Sequence, residues 1–255
     1  VRRTAAAQRA CASPTTEAVV LALDVPESPD PDGSTAVTTA VLRPARDLDI
    51  DPGWFSVPEP ITFATTGDRF AHALHYPPTS PTTGPPEGEA PPLVVLIHGG
   101  PTSAARPQLN LAVQFWTSRG FGVVDVNYGG STGYGRRYRR RLNGEWGIVD
   151  VDDCVGATRH LVDRGAADRD RLIIRGGSAG GFTVLSALAF REVFAAGCSM
   201  YGVADLETLA RDTHKFEARY LDSLVGPYPQ RRDLYEERSP VHHTDELECP
   251  LLVLQ

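Results

Sequence analysis

Arg171-Leu172-Ile173-Ile174-Arg175-Gly176-Gly177-Ser178-Ala179-Gly180-Gly181-Phe182-Thr183-Val184-Leu185-Ser186-Ala187-Leu188 is the stretch that decides the fold. Leu172–Ile174 reads as a strand and Gly180–Phe190 as a helix. Between them, Gly176-Gly177-Ser178-Ala179-Gly180 matches G-x-S-x-G. Such a motif works when a strand delivers the serine into a tight turn and a helix leaves it. The hydroxyl then stands above the sheet, and the amide end of the helix faces a developing oxyanion. A serine in that turn carries ~1–3 kcal/mol of backbone strain, and glycines two residues to either side give the turn room. Ser178 is therefore the candidate nucleophile.

Working outward, strands and helices alternate. Leu93–Ile97 and Gly122–Val126 are predicted strands, as are Ala195–Met200 and Leu251–Leu254. Leu111, Ala112, Phe115 and Trp116 share one face of a predicted helix that Gly120 ends. Asp150–Arg164 carries Val151, Val155, Leu161 and Val162 at helical spacing, with acidic residues at its start and Gly165 beyond its end. Strands separated by helices imply crossover units and a mainly parallel sheet. The class is α/β, and with the serine turn it is the α/β-hydrolase fold.

Upstream the pattern differs. Glu59–Tyr76 alternates apolar and polar residues around Thr66-Gly67-Asp68, as a β-hairpin does. The proline-rich segment from Pro77 to Pro92 is an exposed loop. Two β-like runs, Ala18–Leu23 and Thr35–Leu42, flank a turn-forming Pro26–Gly33 stretch and are too few to form a core.

His98-Gly99-Gly100-Pro101 ends the Leu93–Ile97 strand. An oxyanion hole needs one N–H from the residue after the nucleophile and another from a loop after an upstream strand. Ala179 and Gly100 are the candidates, because a residue without Cβ lets a carbonyl oxygen approach closely. The alternative is a plain strand-ending turn. G-x-S-x-G occurs a second time, at Gly129-Gly130-Ser131-Thr132-Gly133. There Gly133-Tyr134-Gly135 would break a helix leaving the serine, so Ser178 is preferred over Ser131.

His98–Pro101, Asn127–Gly135, Trp146-Gly147 with Asp150–Asp153, Gly176–Gly181 and Ser239-Pro240 follow one another in the order found in one family. By these motifs the chain resembles the catalytic domain of the prolyl oligopeptidase family, in its acylaminoacyl-peptidase and dipeptidyl-aminopeptidase branches. Val57-Pro58-Glu59 with Ile61-Thr62-Phe63 resembles the passage from the family's propeller into its hydrolase domain. One departure is Gly129, where the family commonly has arginine. The resemblance implies that residues 1–56 are a β-propeller tail and linker, and that 57–255 form an α/β-hydrolase domain. It implies that the catalytic acid and histidine follow Gln255. It also implies a serine peptidase that cleaves short peptides through an acyl-enzyme at Ser178 and needs no cofactor, with this chain alone inactive. In related peptidases the segment after the next strand lines the pocket for the residue before the cut bond. Here that segment offers Val203, Leu206 and Leu209; the alternative is that they pack the core.

Other function classes fit less well. The formal charge of −7 disfavours broad nucleic-acid binding. No apolar run approaches the ~20 residues of a membrane helix, and the N-terminus is a poor signal peptide. Cys11, Cys154, Cys198 and Cys249 are widely scattered without metal-ligand spacing, and Cys154 and Cys198, in apolar-periodic segments, read as buried thiols, which favours a cytoplasmic setting over a disulfide framework. His72 and His75 face opposite sides of a strand and cannot chelate together. Asp205 is a position that some lipases use for the acid, whereas His242 and His243 precede the final strand and read as structural. Arg136, Arg137, Arg139, Arg140 and Arg141 read as a solvated helix face in an acidic chain, the alternative being a site for an acidic partner. A carboxylesterase of the same fold and a non-catalytic module are the alternative functions. Assembly into a homo-oligomer is left open.

Overall fold

The computed structural model describes residues 4–26, 37–84, 86–213, 215, 217 and 219–255. Past Pro26, the predicted Pro26–Gly33 turn lies outside the described residues, as does the start of the Thr35–Leu42 run. Strands β1 (Thr4–Ser13), β2 (Thr16–Pro26) and β3 (Thr38–Arg43) form a three-stranded antiparallel sheet. The Thr4–Ser13 strand has no counterpart in the sequence reading, because its alanine-rich run lacks the β-branched alternation that signals a strand. None of the described side chains of this sheet is buried, in keeping with the expectation that these strands form no core of their own.

The main sheet has seven strands. In chain order they are β4 (Glu59–Thr65), β5 (Arg69–Tyr76), β6 (Leu93–Ile97), β7 (Gly122–Asn127), β8 (Leu172–Gly177), β9 (Ala196–Met200) and β10 (Leu251–Leu254). Their spatial order is β10-β9-β8-β6-β7-β5-β4. The five strands from β10 to β7 run parallel, and the β4–β5 hairpin joins antiparallel at β7. β8 continues to Gly177 rather than stopping at Ile174, so the strand itself carries the chain to the serine turn.

Helices fill the crossovers. They are α1 (Leu111–Thr117), α2 (Gly135–Arg139), α3 (Val149–Asp163), α4 (Ala179–Phe190), α5 (Leu206–Asp212), α6 (Tyr220–Leu224) and α7 (Arg232–Arg238). α4 is buried on nearly all sides, from Ala179 to Ala189, which is why its composition is apolar throughout. It packs with α3 on one face of the sheet, in a core that includes Val95, Ile97, Val126, Ile174, Phe182 and Val184.

α1 reverses one expectation. Its buried residues are Val113, Gln114 and Thr117, whereas Leu111 and Phe115 are exposed. Gln114 can be buried because its side chain satisfies both backbone groups of Ser56: Oε1 accepts from Ser56 N at 2.7 Å and Nε2 donates to Ser56 O at 3.1 Å. Phe115 is covered instead by the Arg119 guanidinium, 3.8 Å from its ring centroid.

Candidate active site

β8 ends at Gly177 and α4 starts at Ala179, so Ser178 alone makes the turn, with φ 56° and ψ −124°. That positive φ is unusual for a residue with a Cβ and marks a strained elbow. The flanking glycines are required by close approach. A Cβ on Gly176 would stand 2.5 Å from the Gly180 carbonyl oxygen, and one on Gly180 would stand 2.4 Å from that of Ile97. The elbow is therefore pressed against the end of β6. Ser178 N donates to Met200 O at 3.0 Å, which ties the turn to β9 as well. The Ser178 side chain is exposed, and no hydrogen bond engages its hydroxyl among the described residues.

The β6 exit lies beside this hydroxyl. A Cβ on Gly99 would be 3.6 Å from Ser178 Cβ and 3.2 Å from Gly177 O. Gly100 follows with φ +125°. Its N–H donates to no group among the described residues, and Ala179, as the first residue of α4, has no intrahelical acceptor for its own N–H. The elbow thus carries an exposed hydroxyl, an uncommitted backbone donor on the next residue, Ala179, and a second at Gly100, one residue past the glycine that approaches Ser178.

Ser131, the serine of the other motif match, is fully buried. Its Oγ lies 2.8 Å from His98 Nε2, the one Ser–His hydrogen bond among the described residues. Distance alone would suit a nucleophile and its base, but no substrate reaches a hydroxyl with zero exposure. Loop 128–133 is fixed from several sides. Gly129 N donates to Asp153 Oδ2 at 2.7 Å, and Tyr128 OH donates to Pro101 O at 2.9 Å.

Two buried acids at the start of α3 brace the surroundings: Asp150 holds α4, and Asp153 holds loop 128–133. Asp150 accepts from Thr183 Oγ1 of α4 at 2.5 Å and from Gly147 N at 2.7 Å. Burial pushes Asp150 up to about 6, against the lowering effect of these two donors. Asp153 is also raised by burial, with the Gly129 amide opposing. Trp146 packs on Phe182 of α4, with ring centroids 4.5 Å apart.

Leu206 is fully buried in the main core, and Val203 and Leu209 pack against it half-exposed. In this arrangement Leu206 cannot touch a substrate, so the predicted pocket role does not extend to it. Asp205 caps α5, accepting from Glu207 N and Thr208 N. Burial raises its pKa, but the hydrogen bonds from Thr208 and Glu207 outweigh that and lower it overall. His243 is engaged at both nitrogens, by Glu246 Oε1 and Glu237 O, each at 3.0 Å. Arg136, Arg137, Arg139 and Arg140 are exposed, while Arg141 lies over Tyr138 and donates to Phe70 O. The described residues contain no group of three His, Cys, Asp or Glu able to hold a metal.

The profile described as "Prolyl oligopeptidase family" matches residues 107–255, which contain the whole elbow. The chain belongs to the prolyl oligopeptidase family. Dipeptidyl aminopeptidase BIII of Pseudoxanthomonas mexicana is 34% identical over 170 residues, 64% of this chain and 25% of that one. The acylamino-acid-releasing enzyme of Arabidopsis thaliana is 32% identical over 179 residues, 66% of this chain and 23% of that one. Among solved structures, a Mycobacterium tuberculosis puromycin-hydrolysing peptidase superposes with a TM-score of 0.89 at 44% identity, covering 97% of this chain and 36% of that one. The chain spans about a quarter of the length of these curated relatives. The family resemblance read from the motifs therefore holds, as does the α/β-hydrolase fold. The departure at Gly129 has a structural counterpart. A Cβ there would meet Val149 Cγ1 at 2.8 Å and Arg141 Cβ at 3.1 Å, so this member of the prolyl oligopeptidase family has no room for arginine without repacking.

Proposed function

We propose that the chain is the nucleophile-bearing part of a serine peptidase that hydrolyses peptide bonds of short peptides. Ser178 attacks the carbonyl, and the Gly100 and Ala179 amides hold the oxyanion of the tetrahedral intermediate. A histidine and a carboxylate from sequence following β10 in the parent protein supply the general base and its orienting acid. The single observation that carries this proposal is the strained, exposed Ser178 at a strand–turn–helix elbow in a member of this family.

Residues 1–56 are, on the same proposal, the tail of a propeller and its linker, with the catalytic domain from 57 onward. The open antiparallel sheet β1–β3, without a core of its own, supports that division. Val203 and Leu209 remain candidate walls of the pocket for the residue before the cut bond. No cofactor takes part. A cytoplasmic location is favoured by the four cysteines, all free thiols. Among the described residues no helix is long and apolar enough to cross a membrane.

The 44% identical neighbour is described as puromycin-hydrolysing, so puromycin, whose amide joins an amino acid to a nucleoside, is the first substrate to try. The parent protein should release the amino acid from puromycin and from short peptide anilides, and Ser178→Ala should abolish both. Turnover of simple esters with no turnover of any amide would instead make it a carboxylesterase.

A further inference from the structure

We propose that His98 is a positioning residue for the oxyanion site: its Nδ1–H holds the Gly99 carbonyl and so aims the Gly100 amide, on the opposite edge of the same peptide plane, toward Ser178. This rests on Gly100 being an oxyanion donor, as proposed above. His98 Nδ1 lies 2.9 Å from Gly99 O. A carbonyl oxygen only accepts, so the hydrogen is on Nδ1. The peptide between Gly99 and Gly100 is trans, so its C=O and N–H point in opposite directions. Anchoring one fixes the other. That matters at Gly100, because residues without Cβ rotate easily and an unanchored peptide would spend time with its N–H turned away.

The surroundings fix the tautomer. With the proton on Nδ1, Nε2 offers a bare lone pair, and Ser131 Oγ at 2.8 Å donates to it. The other tautomer would set an Nδ1 lone pair against the Gly99 oxygen. Ser131 is fully buried, so water does not compete for its hydroxyl. Burial also lowers the His98 pKa, opposed by the Gly99 hydrogen bond, which favours the neutral ring. The ring is stacked on Tyr128, with centroids 4.4 Å apart and planes 20° from parallel. Tyr128 in turn donates to Pro101 O, just beyond the aimed amide. The second G-x-S-x-G match thereby gains a role: its serine sets the proton position on the histidine that orients the oxyanion donor.

Nitrogen-15 spectra of the unmodified chain test the tautomer without any variant. The expected pattern is a protonated-type Nδ1 and an unprotonated-type Nε2 for His98; the reverse overturns the proposal. In the parent protein, His98→Ala should lower kcat toward puromycin about 10- to 100-fold with KM within about twofold, a partial loss of what removing an oxyanion donor costs. His98→Asn keeps an N–H at the Nδ1 position and should restore most of kcat, whereas His98→Leu should not. Equal activity per folded molecule in all three variants refutes positioning. If Ser178→Ala also retains activity, the fault lies with the proposed function; if Ser178→Ala is inactive while His98→Ala is not, only the role of His98 falls.

Discussion

Thr183 and Asp150, 33 positions apart, meet in a hydrogen bond from Thr183 Oγ1 to Asp150 Oδ2 at 2.5 Å. Through it, the first turn of α3 holds the first turns of α4, and hence the elbow. Asp150 is fully buried and its pKa is raised to about 6, so folding favours the neutral acid. A raised carboxyl contributes stability that is fully present below its unfolded value and is lost as pH rises through the folded value, here between about 4 and about 6. Replacing it with a neutral isostere removes that dependence. Urea unfolding of the native chain and of Asp150→Asn, compared at pH 5 and pH 8, should show the stability difference moving in favour of Asn by about 1.5 kcal/mol at the higher pH. A difference that does not change with pH contradicts the buried, raised carboxyl.

Gly180 and Gly133 make a matched pair of tests. Gly180→Ala places a methyl 2.4 Å from a backbone oxygen of β6, whereas Gly133→Ala meets nothing within 4 Å and faces only an unfavourable φ of +93°. Overpacking against backbone is expected to cost about 3 kcal/mol at Gly180, and the strained conformation about 1 kcal/mol at Gly133. Denaturant midpoints give both values. Equal costs would show that the elbow is not pressed against β6.

Leu206→Ala should act on stability and not on selectivity. The side chain is fully buried, and truncating a buried leucine costs about 2–5 kcal/mol. The expected result is a large fall in Tm with an unchanged ranking of anilides that differ at the residue before the cut bond. An altered ranking would return Leu206 to the pocket.

β10 leaves Leu252, Val253 and Leu254 about half exposed, at 56%, 58% and 46%, on a strand whose outer edge has no partner in the main sheet. Apolar strand edges pair with other copies. The 255-residue chain is therefore expected to self-associate with rising concentration, and Val253→Lys should shift it toward monomer in sedimentation velocity. A native chain that stays monomeric at high concentration contradicts this.

The parallel sheet and the elbow were legible because their signals are local. Five apolar runs, most of them separated by a helical pattern, leave few topologies, and Gly176 and Gly180 beside Ser178 sit where backbone approach forbids a Cβ. What stayed hidden depends on partners distant in sequence. Gln114 is buried only because Ser56, 58 positions away, satisfies its amide. Asp150 and Asp153 resemble ordinary helix-starting acids until Thr183 and Gly129 are found beneath them. Ser131 looks like a rival nucleophile until His98, 33 residues upstream, is found on its hydroxyl. The Thr4–Ser13 strand escaped because alanine carries no strand pattern. Leu206 misled because a position after β9 suggests a pocket, while its full burial is a tertiary outcome.

If Ser178 is the nucleophile, it alone should react when the parent protein is treated with a fluorophosphonate and the adduct is mapped by peptide mass spectrometry. A single phosphonylated serine is expected, at Ser178, with labelling lost in Ser178→Ala and retained in Ser131→Ala. An adduct on Ser131, or labelling that persists in Ser178→Ala, would contradict this role.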